Sequence, residues 1–445
     1  MKTAAPPPTL ELADIQGGVL RGYGFPFATY ALVRNVDRGG LAYLADQTTT
    51  AEPWQRGKPE VAVNMGLTAE GLAALGVPLE TFPHELVAGM ASRSERLGDT
   101  GASAPAHWEA GLRGDGAGQL LVWVQGKRSD AVRAKVDELL DALQGEEVVW
   151  RQDAASLPYG REHFGFADGF AQPSVTGSGQ PNRPGEGVPR SLGRWRLLRA
   201  GELVLGYEDE DGVLPPAPLE PLHRNATFMV LRKLHQDVAA WRCWLRDAAA
   251  DWAGGAEDWL AAKVVGRWAD GTAVAMSRGR PQERSVTSLW DTNDFRYADD
   301  PVGHGCPVGA HIRRTNPRDG LSGGSARTRR HRIVRRGMPY GPPLAGDTDD
   351  GAERGLLFAC FNASIARQFE TVQHWQADGN VFGLGPGNRD FMTGCGPGDQ
   401  GFTIPGSPPV HVPGPGKPLV TVRGGEYLYV PSVSGLRAIA EGRVG

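Results

Sequence analysis

Apolar positions along this chain alternate between two periods. Gln119–Val124, apolar from Leu120 onward, reads as a strand. Ser129 then stands where a helix N-cap is expected, and Val132, Val136, Leu139, Leu140 and Leu143 follow a 3.6-residue period up to a stop at Gly145. Glu147–Trp150 reads as the next strand. Further on, Leu356–Phe361 is an apolar strand, and Ser364 opens a helix with Ile365, Phe369 and Val372 on one face. Leu419–Val422 and Tyr427–Val430 flank Gly424-Gly425, a pattern that predicts a hairpin. Strand–helix–strand units mixed with hairpins predict an α+β fold, a sheet with helices on one face.

The pattern also echoes itself. Ala28-Thr29-Tyr30-Ala31-Leu32-Val33-Arg34 resembles Ala226-Thr227-Phe228-Met229-Val230-Leu231-Arg232, as strands opening two equivalent units would. The Pro-rich run Pro215–Pro221 precedes the second copy and marks a boundary, giving units over 1–221 and 222–445. A chain of 445 residues is longer than one core usually covers, so two units are the natural expectation.

Composition narrows the function. With 40% hydrophobic and 22% charged residues and a net charge of −4, the chain is globular and has no nucleic-acid footprint. No apolar run reaches membrane-spanning length, and the first residues carry no apolar leader or twin arginine, so a cytoplasmic protein is expected. Cys243, Cys306, Cys360 and Cys395 are too few and too scattered for a disulfide scaffold. Histidines and cysteines do not fall at structural-zinc spacings.

Three long Gly- and Pro-rich segments, roughly 151–190, 299–340 and 395–418, interrupt the regular pattern and carry ionisable residues, as functional loops do. The first holds Phe164-Gly165-Phe166-Ala167-Asp168-Gly169-Phe170, a carboxylate among glycines and aromatics that could meet a flat ligand. The second holds Ala310-His311-Ile312-Arg313-Arg314-Thr315-Asn316-Pro317-Arg318, an imidazole followed by guanidinium groups suited to a metal centre bearing carboxylates. It ends in Ile333-Val334-Arg335-Arg336-Gly337, where strand alternation sends Arg335 and Arg336 to opposite faces. Taken singly, each has a plainer reading: an Asp-Gly turn, a surface histidine in a basic stretch, a solvated strand edge. His163 and His304 lie nearby with nothing to set them apart from loop histidines.

Taken together and in this order, the segments resemble the dye-decolourising peroxidase family. Gly165-x-x-Asp168-Gly169 matches that family's G-x-x-D-G signature, 310–318 its proximal-histidine segment, and 333–337 its distal-arginine strand. Asp14-Ile15-Gln16-Gly17-Gly18-Val19-Leu20 is similar to the family's opening, and Glu353–Phe358 through Gln368-Phe369-Glu370 to its late strand and helix. The resemblance implies two ferredoxin-like units with antiparallel sheets in an α+β barrel arrangement, with the G-x-x-D-G loop in the first unit and most of the haem contacts in the second. It implies one haem b per chain, held without thioether links since no C-x-x-C-H occurs. His311 is then the iron ligand, Asp168 the base that takes a proton from hydrogen peroxide, and Arg335 the cation facing the developing charge. Arg313 joins the cofactor-binding set. Leu356 and Phe358, two apart on one strand, wall the distal pocket or belong to ordinary core. Glu370 is the candidate carboxylate behind His311, or a solvated helix residue. Substrates would be hydrogen peroxide and a dye-like or phenolic reductant, with Tyr340 and Trp375 as candidate surface relays for bulky donors. A haem-handling protein of the same fold is the alternative, although storage needs neither a base nor a cation.

Overall fold

The computed structural model describes residues 9–113, 118–143, 147–190, 194–250, 256–277, 293–394 and 400–444. Thirteen strands follow in chain order: β1 (Phe27–Arg34), β2 (Val61–Leu67), β3 (Leu120–Gly126), β4 (Glu147–Ala155), β5 (Val188–Pro189), β6 (Trp195–Arg196), β7 (Thr227–Gln236), β8 (Val334–Arg335), β9 (Met338–Tyr340), β10 (Gly355–Asn362), β11 (Phe402–Ile404), β12 (Val410–Val412) and β13 (Val420–Val430). Nine of them form one sheet in the order β4-β1-β3-β2-β13-β7-β10-β8, with β9 beside β10. Each set of four has the antiparallel order of a ferredoxin-like unit, and the echoing segments open the two sets as β1 and β7. Among the described residues the hydrogen-bonded order runs from β4 to β8 without closing, although β4 packs against β9 beside the other end.

Strands buried on both faces explain the unbroken apolar runs. Along β1, Ala31 and Val33 enter one core while Ala28, Tyr30 and Leu32 enter the other; β7 splits Phe228 and Val230 from Met229 and Leu231 in the same way. Helices 38–47, 129–141 and 433–440 cover the first face through Leu41, Leu44, Val132, Val136, Leu436 and Ile439. Loop residues such as Val175, Leu198 and Leu203 cover the second.

Two local expectations change. Ser129 is the first residue of its helix, behind an N-cap at Arg128 that makes no side-chain cap; Gly145, its expected stop, lies outside the described residues. The expected hairpin at Gly424-Gly425 is one continuous strand, β13, with a bulge between Val422 and Gly424. The bulge has a packing reason. Val422 and Tyr427 are an odd number of residues apart, yet both enter the helix-covered core, which requires one extra residue between them. Gly424 permits it, because a Cβ there would press on Leu112. Among the described residues, no helix is long and apolar enough to cross a membrane.

Candidate active site

The loop after β4 is shaped by one buried carboxylate. Glu162 accepts the backbone N–H groups of Phe164 and Phe166, both at 2.9 Å, and the Gln236 amide at the end of β7, at 2.6 Å. This turns the chain so that the Asp168 N–H donates to Gly160 (3.0 Å) and the Asp168 carboxylate faces inward. Gly165 and Gly169 adopt φ values of 100° and 92°, and a Cβ on either would meet nothing within 4 Å. Both glycines therefore serve backbone conformation and leave open space beside Asp168, as a flat ligand requires.

Arg335 reaches the same place from β8. Its backbone N–H is held by Gln172 at 2.8 Å, one Nη donates to Asp168 at 3.0 Å, and the other to the Phe170 carbonyl at 3.0 Å. Arg336, just past β8, makes no bond to Asp168; it donates to Gly18 at 3.2 Å and lines the cavity beside Arg335. Arg332 is spent on the carbonyls of Ala171, Gly185 and Gly187.

His311 opens a short helix, His311–Thr315. Its Nδ1 lies 3.0 Å from Oδ2 of Asp390. The second Asp390 oxygen accepts the N–H groups of Met392 and Thr393 at 2.9 and 3.0 Å, so this carboxylate is fixed on both sides. Such a bond assigns the proton to Nδ1 and leaves the Nε2 lone pair free for a metal. Nε2 makes no hydrogen bond among the described residues.

Electrostatics ties His311 to the Asp168–Arg335 pair. Burial raises the Asp168 pKa, but Arg335, the Gly169 N–H and the more distant His311 outweigh it and hold the carboxyl below its ordinary value. At His311, burial disfavours the cation, yet Asp390 and Asp168 prevail and the pKa is raised. The His311, Asp168 and Arg335 side chains keep 27%, 43% and 36% of their surface accessible. Each of the three therefore keeps surface facing a hollow that a ligand could fill. An unbonded imidazole nitrogen electrostatically coupled to a carboxylate–guanidinium pair with open space at Gly165 and Gly169 fits a haem. Among the described residues, no group of three or more His, Cys, Asp or Glu could hold a metal ion without such a macrocycle.

Other expected residues lie elsewhere. Glu370 does not back His311: its fully buried carboxylate binds Arg93 and Arg96 and accepts the Tyr427 hydroxyl at 3.1 Å. The turn Ala366–Glu370 is a π-helix, which carries Glu370 off the face that a regular helix would give it. Arg313 is buried under the loop, donating to Cys306 at 2.7 Å and Asp300 at 2.8 Å and stacking on Tyr297, so it does not face the hollow. Leu356 lines a cavity together with Asp168 and Arg335, whereas Phe358 is half-buried against Phe369, with ring centroids 6.1 Å apart. Tyr340 and Trp375 are 2% and 4% exposed, so neither presents a ring at the surface. His163 is bound to the Tyr340 carbonyl, and His304 is exposed.

Asp390 and Gln172 escaped the sequence. Asp390 does carry a signal of the kind that marked Asp168: a carboxylate beside aromatic Phe391 in a Gly-rich loop.

Residues 289–383, which include His311 and Arg335, match the family model described as Dyp-type peroxidase, C-terminal. The chain is 30% identical over 480 residues to Peroxidase 2 of Mycetinis scorodonius, covering 98% of this chain and 88% of the relative. It is 31% identical over 408 residues to the multifunctional dye peroxidase DyP2 of an Amycolatopsis species, covering 85% and 82%. An ancestral D-type dye decolorizing peroxidase superposes with a TM-score of 0.82 at 25% identity, over 97% of this chain and 99% of that one. Likeness of this extent, in sequence and in fold, places the chain in the dye-decolorizing peroxidase family.

Proposed function

We propose that this peroxidase holds one non-covalent haem b between His311 and the Asp168–Arg335 pair, and uses hydrogen peroxide to oxidise dyes, phenols or similar one-electron donors. The observation that carries this reading is a carboxylate-backed histidine near enough to a carboxylate–guanidinium pair for each to shift the other's ionisation. Bound haem would accept two oxidising equivalents from peroxide and release them singly. His311 would hold it through Nε2, with Asp390 keeping the proton on Nδ1 and making the imidazole a stronger donor. Leu356 would form part of the wall above it.

The residues then divide the work on peroxide. Asp168, ionised in its pocket, accepts a proton from one peroxide oxygen and returns it to the other, which leaves as water. Arg335 keeps its charge throughout and stabilises the negative charge that grows on the departing oxygen. Its bonds to Asp168 and Phe170 fix both groups before peroxide arrives, so little reorganisation is needed.

Two measurements test this. His311→Ala should purify largely without haem or with a displaced Soret band, while His304→Ala retains the wild-type spectrum. Stopped-flow mixing of the haem-loaded wild type with peroxide should give a rapid absorbance change. Full haem occupancy with an unchanged spectrum in His311→Ala would remove the proposed ligand, and an inert wild type would favour haem handling.

A further inference from the structure

Beside Asp168 and Arg335 lies a cavity of about 480 Å³, within the usual size range of small-molecule sites. One wall is aromatic, formed by Tyr23 and Phe25, with Trp54 stacked behind Tyr23 at a centroid distance of 5.8 Å. Leu20, Met338 and Leu356 add apolar surface.

The charged lining is unevenly partnered. Glu162 is occupied by two backbone N–H groups and Gln236, and Asp168 by Arg335. Glu186 is pushed by burial towards its neutral form. Arg336 bonds only to carbonyls, those of Gly18 and Arg335, each at 3.2 Å. No carboxylate of the described residues lies within ion-pairing distance of it, and Arg335 adds a second positive charge alongside. Burial and, more weakly, Arg335 lower the Arg336 pKa to about 10 against opposing pulls from Tyr23 and Glu186. A half-buried guanidinium held only by neutral acceptors gains more from an incoming anion than a fully solvated one would.

We infer that this cavity binds single-ring aromatic carboxylates as reductants, with Arg336 as the anchor for the carboxylate and the Tyr23–Phe25 wall packing the ring. The inference rests on the peroxidase reading above and adds to it a substrate class and a residue that selects it. In the reaction, two molecules of a phenolic carboxylate each give up one electron and one phenolic proton. One hydrogen peroxide takes both electrons and both protons and leaves as two waters. The carboxylate stays unreacted on Arg336.

The test compares 4-hydroxybenzoate with its neutral isostere 4-hydroxybenzamide on the haem-loaded enzyme. Calorimetric titration without peroxide measures binding, and KM during turnover measures use. The wild type should favour the acid by about tenfold or more, the strength of one charge-assisted contact. Arg336→Leu should erase that preference, weakening the acid about ten- to a hundredfold more than the amide, and Arg336→Lys should restore part of it. A wild type that does not distinguish the two compounds overturns the inference, whatever the variants do. Equal losses for acid and amide in Arg336→Leu overturn it as well. Selective binding of the acid with no oxidation of either compound would support the site and count against the peroxidase reading.

Discussion

Asp168 and Arg335 are adjacent, but their removal should not look alike. Asp168→Asn keeps the shape and a hydrogen-bonding group but cannot accept the proton. The peroxide-induced absorbance change should slow by about 10²–10⁴-fold and lose its acid limb. Arg335→Leu removes the fixed charge and should slow the same step by about 10²–10³-fold. It should also move the limb. In the wild type the guanidinium holds Asp168 below its ordinary pKa against the effect of burial, so the base survives into more acidic solution. Without Arg335 burial prevails, Asp168 protonates at higher pH, and the limb shifts upward. Stopped-flow rates across the acid range check this, and a downward or absent shift would refute the electrostatic account. These residues were legible because a short motif fixes each of them. Asp390 was not, because a hydrogen-bond partner 79 residues away is chosen by tertiary packing and not by spacing.

Among the elements, regular periodicity was read correctly and irregular backbone was not. β3, β4, β10 and the helix over 129–141 follow from apolar spacing, because burial on fixed faces writes that spacing into the sequence. The bulge in β13 and the π-turn at Ala366–Glu370 each alter a face without altering composition, and the bulge misled the expectation of a hairpin. Glu370 provides a test of the second. Its buried carboxylate joins Arg93 and Arg96, from the first half of the chain, to the segment leading into helix 371–377, which packs near His311. Glu370→Gln should cost about 3 kcal/mol of stability in denaturant titrations, since it leaves the half-buried Arg93 without its counter-charge. The haem spectrum should stay as in the wild type, because Asp390 and not Glu370 backs His311. A normal stability with a shifted Soret band would reverse that assignment.

For the molecule as a whole, the question is whether two similar topological units behave as one. We propose units over 1–221 and 222–445, and the backbone seam between them is thin: β2 and β13 share the single registered pair Tyr429↔Leu67. Side chains oppose that impression. Both cores draw on β1 and β3 as well as β7 and β13, so neither unit can expose its share without opening the other's. Polar ties cross the seam too: Gln16 donates to Pro431 at 2.9 Å, and Arg232 is paired with Asp99 inside the protein. If core area outweighs the seam, the chain opens as a single cooperative unit. Haem then provides the probe, since a ligand that binds only the folded form stabilises every part that unfolds with its site. The proposed iron ligand lies in the second unit, so the first gains protection only through coupling. Native-state hydrogen exchange on haem-free and haem-loaded protein should show the slowest amides of β1 and β3 gaining the same opening free energy as those of β7 and β13. A gain confined to β7 and β13 would mean that the seam, and not the shared core, sets the unit of folding.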